Sequence, residues 1–188
     1  MEPIDIKAAA RKTAFAARKI AHGQGLDAAA CGHLSACLAQ YPGIEVISGY
    51  MPIRTEVSPL PVMRALYNAG RRICVPVIQG AGMALLFREW HPDAVMVQGP
   101  FGAMVPAEGE DLEPELLIAP LVAFDRRGFR LGYGGGFYDR SLEGLRAMRP
   151  TLAVGFAYAA QELPQVPQEA TDQPLDAMAT DQGFTVYR

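Results

Sequence analysis

The chain has 188 residues, half of them hydrophobic, which suits one compact domain with a sizeable core. A formal net charge of −3 gives no general reason to expect a nucleic-acid partner. No apolar run reaches the length of a membrane span, and the start lacks the apolar stretch of a secretion signal, so a cytoplasmic enzyme acting as a monomer is expected. Cys31, Cys37 and Cys74 have no metal-site spacing, and an odd count builds no disulfide framework.

In chain order, Ile6 to Ile20 is alanine-rich and predicts a helix. Its Lys7, Arg11 and Arg18 are spaced by four and seven, near one face. They form either a solvated basic face or a row of cations that can reach a polyphosphate. Asp27 predicts a cap on a second helix running to about Gln40, with Leu26 before it. Tyr41-Pro42-Gly43 stops that helix, and Ile44 to Tyr50 reads as a buried strand. Pro59 opens a helix that ends near Gly70. Arg72 to Val77 and Met83 to Phe87 read as strands.

From Trp90 to Pro114 the pattern has little periodicity and predicts loops with short strands. Leu116 to Phe124 is a strong apolar run in which Pro120 marks a strand end, edge or bulge. Phe137 to Met148 predicts a helix and Thr151 to Phe156 a strand. Asp176 to Thr180 and Phe184 to Tyr187 read as small closing strands. Helices alternating with apolar strands imply a three-layer α/β fold: a mainly parallel central sheet with helices on both faces. Binding loops are then expected at the carboxyl ends of the strands.

The richest segment runs from Phe124 through Arg130-Leu131-Gly132-Tyr133-Gly134-Gly135-Gly136-Phe137-Tyr138-Asp139-Arg140. Four glycines fall within five residues, between a strand-like run and a helix. Arg130 and Arg140 flank them. Glycine permits turns and close backbone approach, so the segment suits an anion, with phosphate the obvious one. A purely structural turn is the alternative. The spacing is neither the dinucleotide fingerprint nor a P-loop. Asp139 is the nearest acid after the glycines and suits a metal contact, a helix cap, or a pair with Arg140. His22, His33 and His91 lack ligand spacing.

These residues resemble the 5-formyltetrahydrofolate cyclo-ligase family. The resemblance covers nearly the whole chain and centres on Ala123-Phe124-Asp125 through Arg140. Lys7 with Arg11 and Arg18 is similar to the family's basic amino-terminal helix. Tyr50-Met51-Pro52 followed by Glu56 is similar to its folate-side segment, and Leu86-Phe87 with Trp90 is a weaker match. Gly155-Phe156-Ala157 with Gln161, and Asp172 with Asp176, Met178 and Thr180, resemble the closing motif. Two positions depart from the pattern: Val105-Pro106 stands where the family often has Glu-Pro, and Thr171-Asp172 where it often has His-Asp.

The resemblance implies ATP- and magnesium-dependent conversion of 5-formyltetrahydrofolate, with or without a polyglutamate tail, to 5,10-methenyltetrahydrofolate. It implies one domain over residues 1–188 with the ATP and folate sites in one cleft. Lys7, Arg11, Arg130, Gly132, Tyr133, Gly134, Gly135, Gly136, Phe137, Tyr138 and Asp139 are then expected around the nucleotide, with Asp139 also toward magnesium. Tyr50, Met51, Glu56 and Trp90 are expected at the folate, and Arg130, Glu56 and Asp139 at the chemistry. Two other readings remain: another nucleotide-dependent enzyme on the same scaffold, and a non-catalytic folate- or nucleotide-binding regulator.

Overall fold

The computed structural model describes residues 3–187. Its elements are α1 (Pro3–His22), α2 (Asp27–Leu38), β1 (Val46–Ser48), α3 (Leu60–Asn68), β2 (Arg72–Val77), β3 (Leu86–Trp90), β4 (Met96–Gln98), β5 (Met104–Pro106), β6 (Leu116–Pro120), β7 (Ala123–Phe124), β8 (Arg130–Leu131), α4 (Phe137–Met148), β9 (Leu152–Phe156), β10 (Ala177–Thr180) and β11 (Gly183–Val186). Seven strands form the central sheet in the order β11-β10-β9-β6-β1-β2-β3. The five inner strands are parallel, while β11 and β3 pair antiparallel at the edges. From β1 the chain moves outward to β2, then returns to lay β6 on the other side of β1. That reversal creates a crevice at the carboxyl ends of β1 and β6, where α/β sheets bind ligands.

Strand alternation builds the two faces. Leu116 and Ile118 of β6, with Ile73 and Val75 of β2, join Leu34 of α2 and Met63 of α3 in one apolar cluster. The intervening Leu117, Ala119 and Cys74 join Leu142 and Leu145 of α4 in another. The period of two in each strand therefore sends successive side chains into opposite layers, giving the expected three-layer arrangement. At Gly155 on β9 a Cβ would lie 2.5 Å from Met178 Sδ and 2.8 Å from Leu175 Cδ1, so only glycine fits between them.

Several expectations shift in detail. The strand expected over Ile44 to Tyr50 pairs only at Val46–Ser48, because Tyr50 turns out of the sheet to line the crevice. The one expected at Met83 to Phe87 lies at Leu86–Trp90, where its register is set by pairing with β2. The irregular stretch after it holds the β4–β5 hairpin. Pro120 ends β6, and the rest of the apolar run forms β7, which pairs with β8. Asp27 does not cap α2. Leu26 occupies the cap position, and Asp27 Oδ1 instead accepts the Tyr158 hydroxyl at 2.6 Å.

Asp125 organises the turn between β7 and β8. It is fully buried, and it accepts the amides of Arg127, Phe129 and Val166 and the Arg127 guanidinium. Burial alone would raise its pKa, but these donors outweigh it and hold the carboxyl below its ordinary value of 3.8. The unfolded chain therefore takes up a proton first as pH falls, and the stability Asp125 contributes is lost below about pH 4. Asp125→Asn is expected to cost about 2 kcal/mol at pH 7 through its weakened hydrogen bonds. Thermal unfolding from pH 7 to pH 2.5 should show a shallower acid decline in the variant than in the wild type. Parallel declines would rule this carboxylate out.

Candidate active site at the glycine loop

A cleft of about 1060 Å3 opens at the carboxyl ends of the central strands. Tyr50 and Met51 enter it from the end of β1, Pro76 and Ile78 from β2, and Pro120 from β6. The glycine loop, between β8 and α4, forms its opposite wall. The sheet's chain reversal and the loop thus meet at one place.

Local physics shapes the loop. Gly134 and Gly136 have φ of 107° and 67°, conformations that other residues adopt only with strain. Gly136 occupies the position before the first turn of α4, whose dipole is positive at that end. Among the described residues, the amides of Gly134, Gly135 and Gly136 donate to no protein acceptor. Donors left unpaired at the start of a twelve-residue helix form an anion-binding arrangement.

Both ends of the loop are clamped. Arg130 Nη2 donates to Asp139 Oδ1 at 2.8 Å, and its Nη1 donates to the Gln173 carbonyl at 2.7 Å. Gln173 N in turn donates to Asp139 Oδ1 at 2.9 Å. Asp139 therefore neither caps α4 nor pairs with Arg140. Arg140 Nη2 instead donates to the Gly135 carbonyl at 2.6 Å. The two arginines that flank the glycines are thus engaged in holding the loop, contrary to their expected use as free cations.

The row on α1 divides. Arg11 Nε donates to the Gly132 carbonyl at 2.8 Å, and its Nη2 would lie 3.3 Å from a Cβ on Gly134. Its guanidinium therefore sits directly over the loop. Lys7 Nζ lies 2.9 Å from Glu169 and 3.7 Å from Asp172 at the cleft rim. Arg18, two turns further along α1, is 1% exposed. A solvated basic face is therefore not what α1 presents.

Glu56 lines the cleft beside the loop and is 6% exposed. Ile53 N donates to its Oε2 at 2.9 Å and the Tyr133 hydroxyl to its Oε1 at 3.0 Å. Burial pushes its pKa up, and the donors from Ile53 and Tyr133 and the charges of Arg18 and Arg54 offset this only in part. The Tyr138 hydroxyl is buried beside the cleft with no hydrogen-bond partner, so it is a donor in want of an acceptor.

One expected residue lies elsewhere. Trp90, taken as a folate contact, is 3% exposed in the core cluster and borders a separate recess with Tyr67 and His91. Its place at the end of an edge strand, paired to Ile73, turns it away from the glycine loop. Among the described residues, no group of three or more His, Cys, Asp or Glu side chains could hold a metal. Two features escaped the sequence, one buried outside the cleft lining and one lining it. Arg18 was legible only as part of a helix face, since its partner Tyr133 lies 115 positions away. Phe101, 72% exposed at the β4–β5 tip and near the Phe137 ring, falls in a stretch with no periodic signal.

A mainly parallel sheet with a cleft at its chain reversal, unpaired loop amides and a buried carboxylate beside them has the architecture of an α/β enzyme with an anion-binding loop. Comparison with known proteins narrows this. A model of the 5-formyltetrahydrofolate cyclo-ligase family matches residues 7–181, and the chain belongs to that family. The 5-formyltetrahydrofolate cyclo-ligase of Escherichia coli (strain K12) is 35% identical over 150 residues, covering 74% of this chain and 81% of that one. The Haemophilus influenzae protein of the same name is 35% identical over 135 residues, covering 69% and 72%. The solved Aquifex aeolicus 5,10-methenyltetrahydrofolate synthetase superposes with a TM-score of 0.77 at 27% identity, over 97% of this chain and 93% of that one. The Mycoplasma pneumoniae synthetase gives 0.71 at 26%, over 93% and 98%.

The position of Glu56 has a measurable cost. Its folded pKa is above the ordinary 4.5, so as pH rises the unfolded chain releases the proton first and stability falls across that window. Glu56→Gln removes the ionisation. Its melting temperature relative to wild type should be higher at pH 8 than at pH 4, while turnover falls. A difference independent of pH would show that ionised Glu56 carries no such cost.

Proposed function

We propose that this cleft carries out the ATP-dependent closure of 5-formyltetrahydrofolate to 5,10-methenyltetrahydrofolate, with ADP and phosphate released. The observation that carries the reading is the loop of unpaired amides under Arg11, with the buried Glu56 held beside it by the loop's Tyr133 in one cleft. Membership of the cyclo-ligase family supports it. A cytoplasmic enzyme, working as a monomer with both substrates in one cleft of one domain, fits a site built from one chain. Light scattering on the purified protein would overturn the monomer if it returned a larger species.

The formyl oxygen attacks the γ-phosphorus of ATP and ADP leaves. The folate N10 then attacks the activated formyl carbon and loses its proton as phosphate departs. An amide-like oxygen leaves poorly until phosphorylated, so the protein's task is alignment and charge stabilisation. Arg11, Lys7 and the loop from Gly132 to Tyr138 receive the polyphosphate. Lys7 would exchange Glu169 and Asp172 for phosphate oxygens. Arg130 acts as a support, because its Nη atoms hold Asp139 and Gln173. Tyr50, Met51 and Glu56 form the folate side. Glu56 faces the reacting end, where its charge meets the positive character that develops there.

Magnesium fits only as an ion carried by the nucleotide. Asp139 Oδ1 is occupied by Arg130 and Gln173, which leaves Oδ2 as the protein oxygen to offer. Magnesium usually keeps waters and phosphate oxygens, so one carboxylate oxygen suffices. When bound, it would neutralise charge on the phosphates.

The direct test is absorbance of methenyltetrahydrofolate formed from purified protein, 5-formyltetrahydrofolate, ATP and magnesium. Folded protein that makes no product would remove the assignment. In the same assay, replacing Lys7 and Arg11 together with Met should lower kcat/KM for ATP by about 100-fold or more, from two lost charge-assisted contacts of roughly 1.5–3 kcal/mol each. Wild-type values would return α1 to a structural role.

Asp139→Asn retains the Oδ1 acceptor but leaves the Arg130 charge, 4% exposed, without its counter-ion. The expectation is a lower melting temperature together with a higher magnesium requirement at saturating ATP and folate. An unchanged magnesium response in a folded, active variant would confine Asp139 to the clamp.

A further inference from the structure

Among the described residues, Arg18 is the largest side chain that is essentially fully buried. Burying a guanidinium costs several kcal/mol unless its charge is compensated. Among the described residues no carboxylate lies within ion-pair distance of it. Its Nε donates to Thr55 Oγ1 at 2.9 Å and its Nη1 donates to the Tyr133 hydroxyl at 2.7 Å. Its guanidinium also stands 5.1 Å from the Phe15 ring centre and 5.7 Å from that of Tyr133. The Tyr133 hydroxyl then donates to Glu56 Oε1 at 3.0 Å. The charge of Arg18 thus reaches Glu56 through one hydroxyl that belongs to the glycine loop.

We propose that Arg18 is a positioning residue that acts through the Tyr133 hydroxyl to hold the Glu56 carboxylate, joining α1, the phosphate-side loop and the folate-side wall into one unit. The relay rests on the reading of Glu56 as a folate contact. A direct Arg18–Glu56 pair would fix the same carboxylate but would leave the loop out. With Tyr133 between them, the position of the loop and the state of Glu56 are linked: a shift of the loop on ligand binding alters the donor that Glu56 receives.

The electrostatics agree with the geometry. Burial pushes the Tyr133 hydroxyl up to about 12, so it stays protonated and donates at any working pH. Five groups face Glu56: Arg18 from α1, Tyr133 from the loop, Arg54 from its own segment, Tyr50 after β1 and Tyr138 from α4. Tyr50 is occupied by the Val57 carbonyl at 2.5 Å, and Tyr138 has no partner. Against the effect of burial, Arg18 and Tyr133 both pull the Glu56 pKa down.

The test is a carboxyl-carbon NMR titration of protein labelled with 13C-glutamate, in which the Glu56 signal is the one missing from Glu56→Gln. Tyr133→Phe and Arg18→Met should each move the Glu56 midpoint to higher pH. In the double variant the shift should be smaller than the sum of the two single shifts, because Tyr133 carries part of the Arg18 effect and only the through-space part remains without it. The acid limb of folate turnover should move the same way in each single variant. A Glu56 midpoint unchanged by Tyr133→Phe overturns the relay, and so do additive shifts in the double variant. If Arg18→Met does not fold, Arg18→Lys, which keeps charge but not the two-headed donation, should give a smaller upward shift. The NMR reading needs no catalysis. A wild type that makes no product at any pH fails the functional reading while the relay is still decided by the titration.

Discussion

The ion pair between Arg130 and Asp139 is the constraint on which the site depends. Its two members sit at either end of the glycine loop, on β8 and in the first turn of α4, so their contact closes the loop into a ring. Gln173 adds a bond to each and ties in the segment leading to β10. Four glycines in five residues would otherwise have ample conformational freedom, and that freedom costs entropy on folding. Clamping the ends confines the loop while leaving its middle amides unpaired. A loop that satisfied those amides internally would be more stable by itself and unable to receive an anion.

The same division of labour recurs around the cleft. Arg140 holds the Gly135 carbonyl, Arg11 holds the Gly132 carbonyl, and Arg18 holds Tyr133. Three arginines therefore shape one loop by hydrogen-bonding its oxygens, and Arg130 clamps its ends. Arg11 does so with Nε while its Nη groups lie over Gly134. Arginine suits this task because its fork donates in several fixed directions at once. Beside them, Glu56 is kept in a place that disfavours its charge. Strained or costly groups of this kind are tolerated at sites where function requires them.

The core explains why such a site can stand. Five parallel strands buried on both faces supply a rigid edge at their carboxyl ends. The crevice falls where β6 returns beside β1, so Pro120 is fixed by the sheet, and Tyr50, just past β1, is held by its hydroxyl's bond to the Val57 carbonyl. Asp125 does the equivalent work in the β7–β8 turn, just before the glycines, by collecting three amides and a guanidinium.

The sequence by itself determined the elements and the chemistry of the loop. Continuous apolar runs in Leu116 to Pro120 and Arg72 to Val77 suit strands buried on both faces, and four clustered glycines before a helix suit an open turn, because both follow from local composition and backbone sterics. The family motif pointed to Glu56 at the folate side, and in the fold Glu56 lines the cleft. Which charges are spent and which are available was decided only by the tertiary structure. Arg130 and Arg140 read as free cations in one dimension, yet Asp139, Gln173 and Gly135 occupy them. Trp90 read as a ligand contact, yet β-pairing turns it into the core. Arg18 read as one of a helical row, yet its burial depends on a tyrosine that only the folded chain brings within 2.7 Å. Hydrogen bonds and burial are pairwise and long-range in sequence, whereas propensity and period are local. The sequence therefore specified what the site is made of, and the fold decided what each part does.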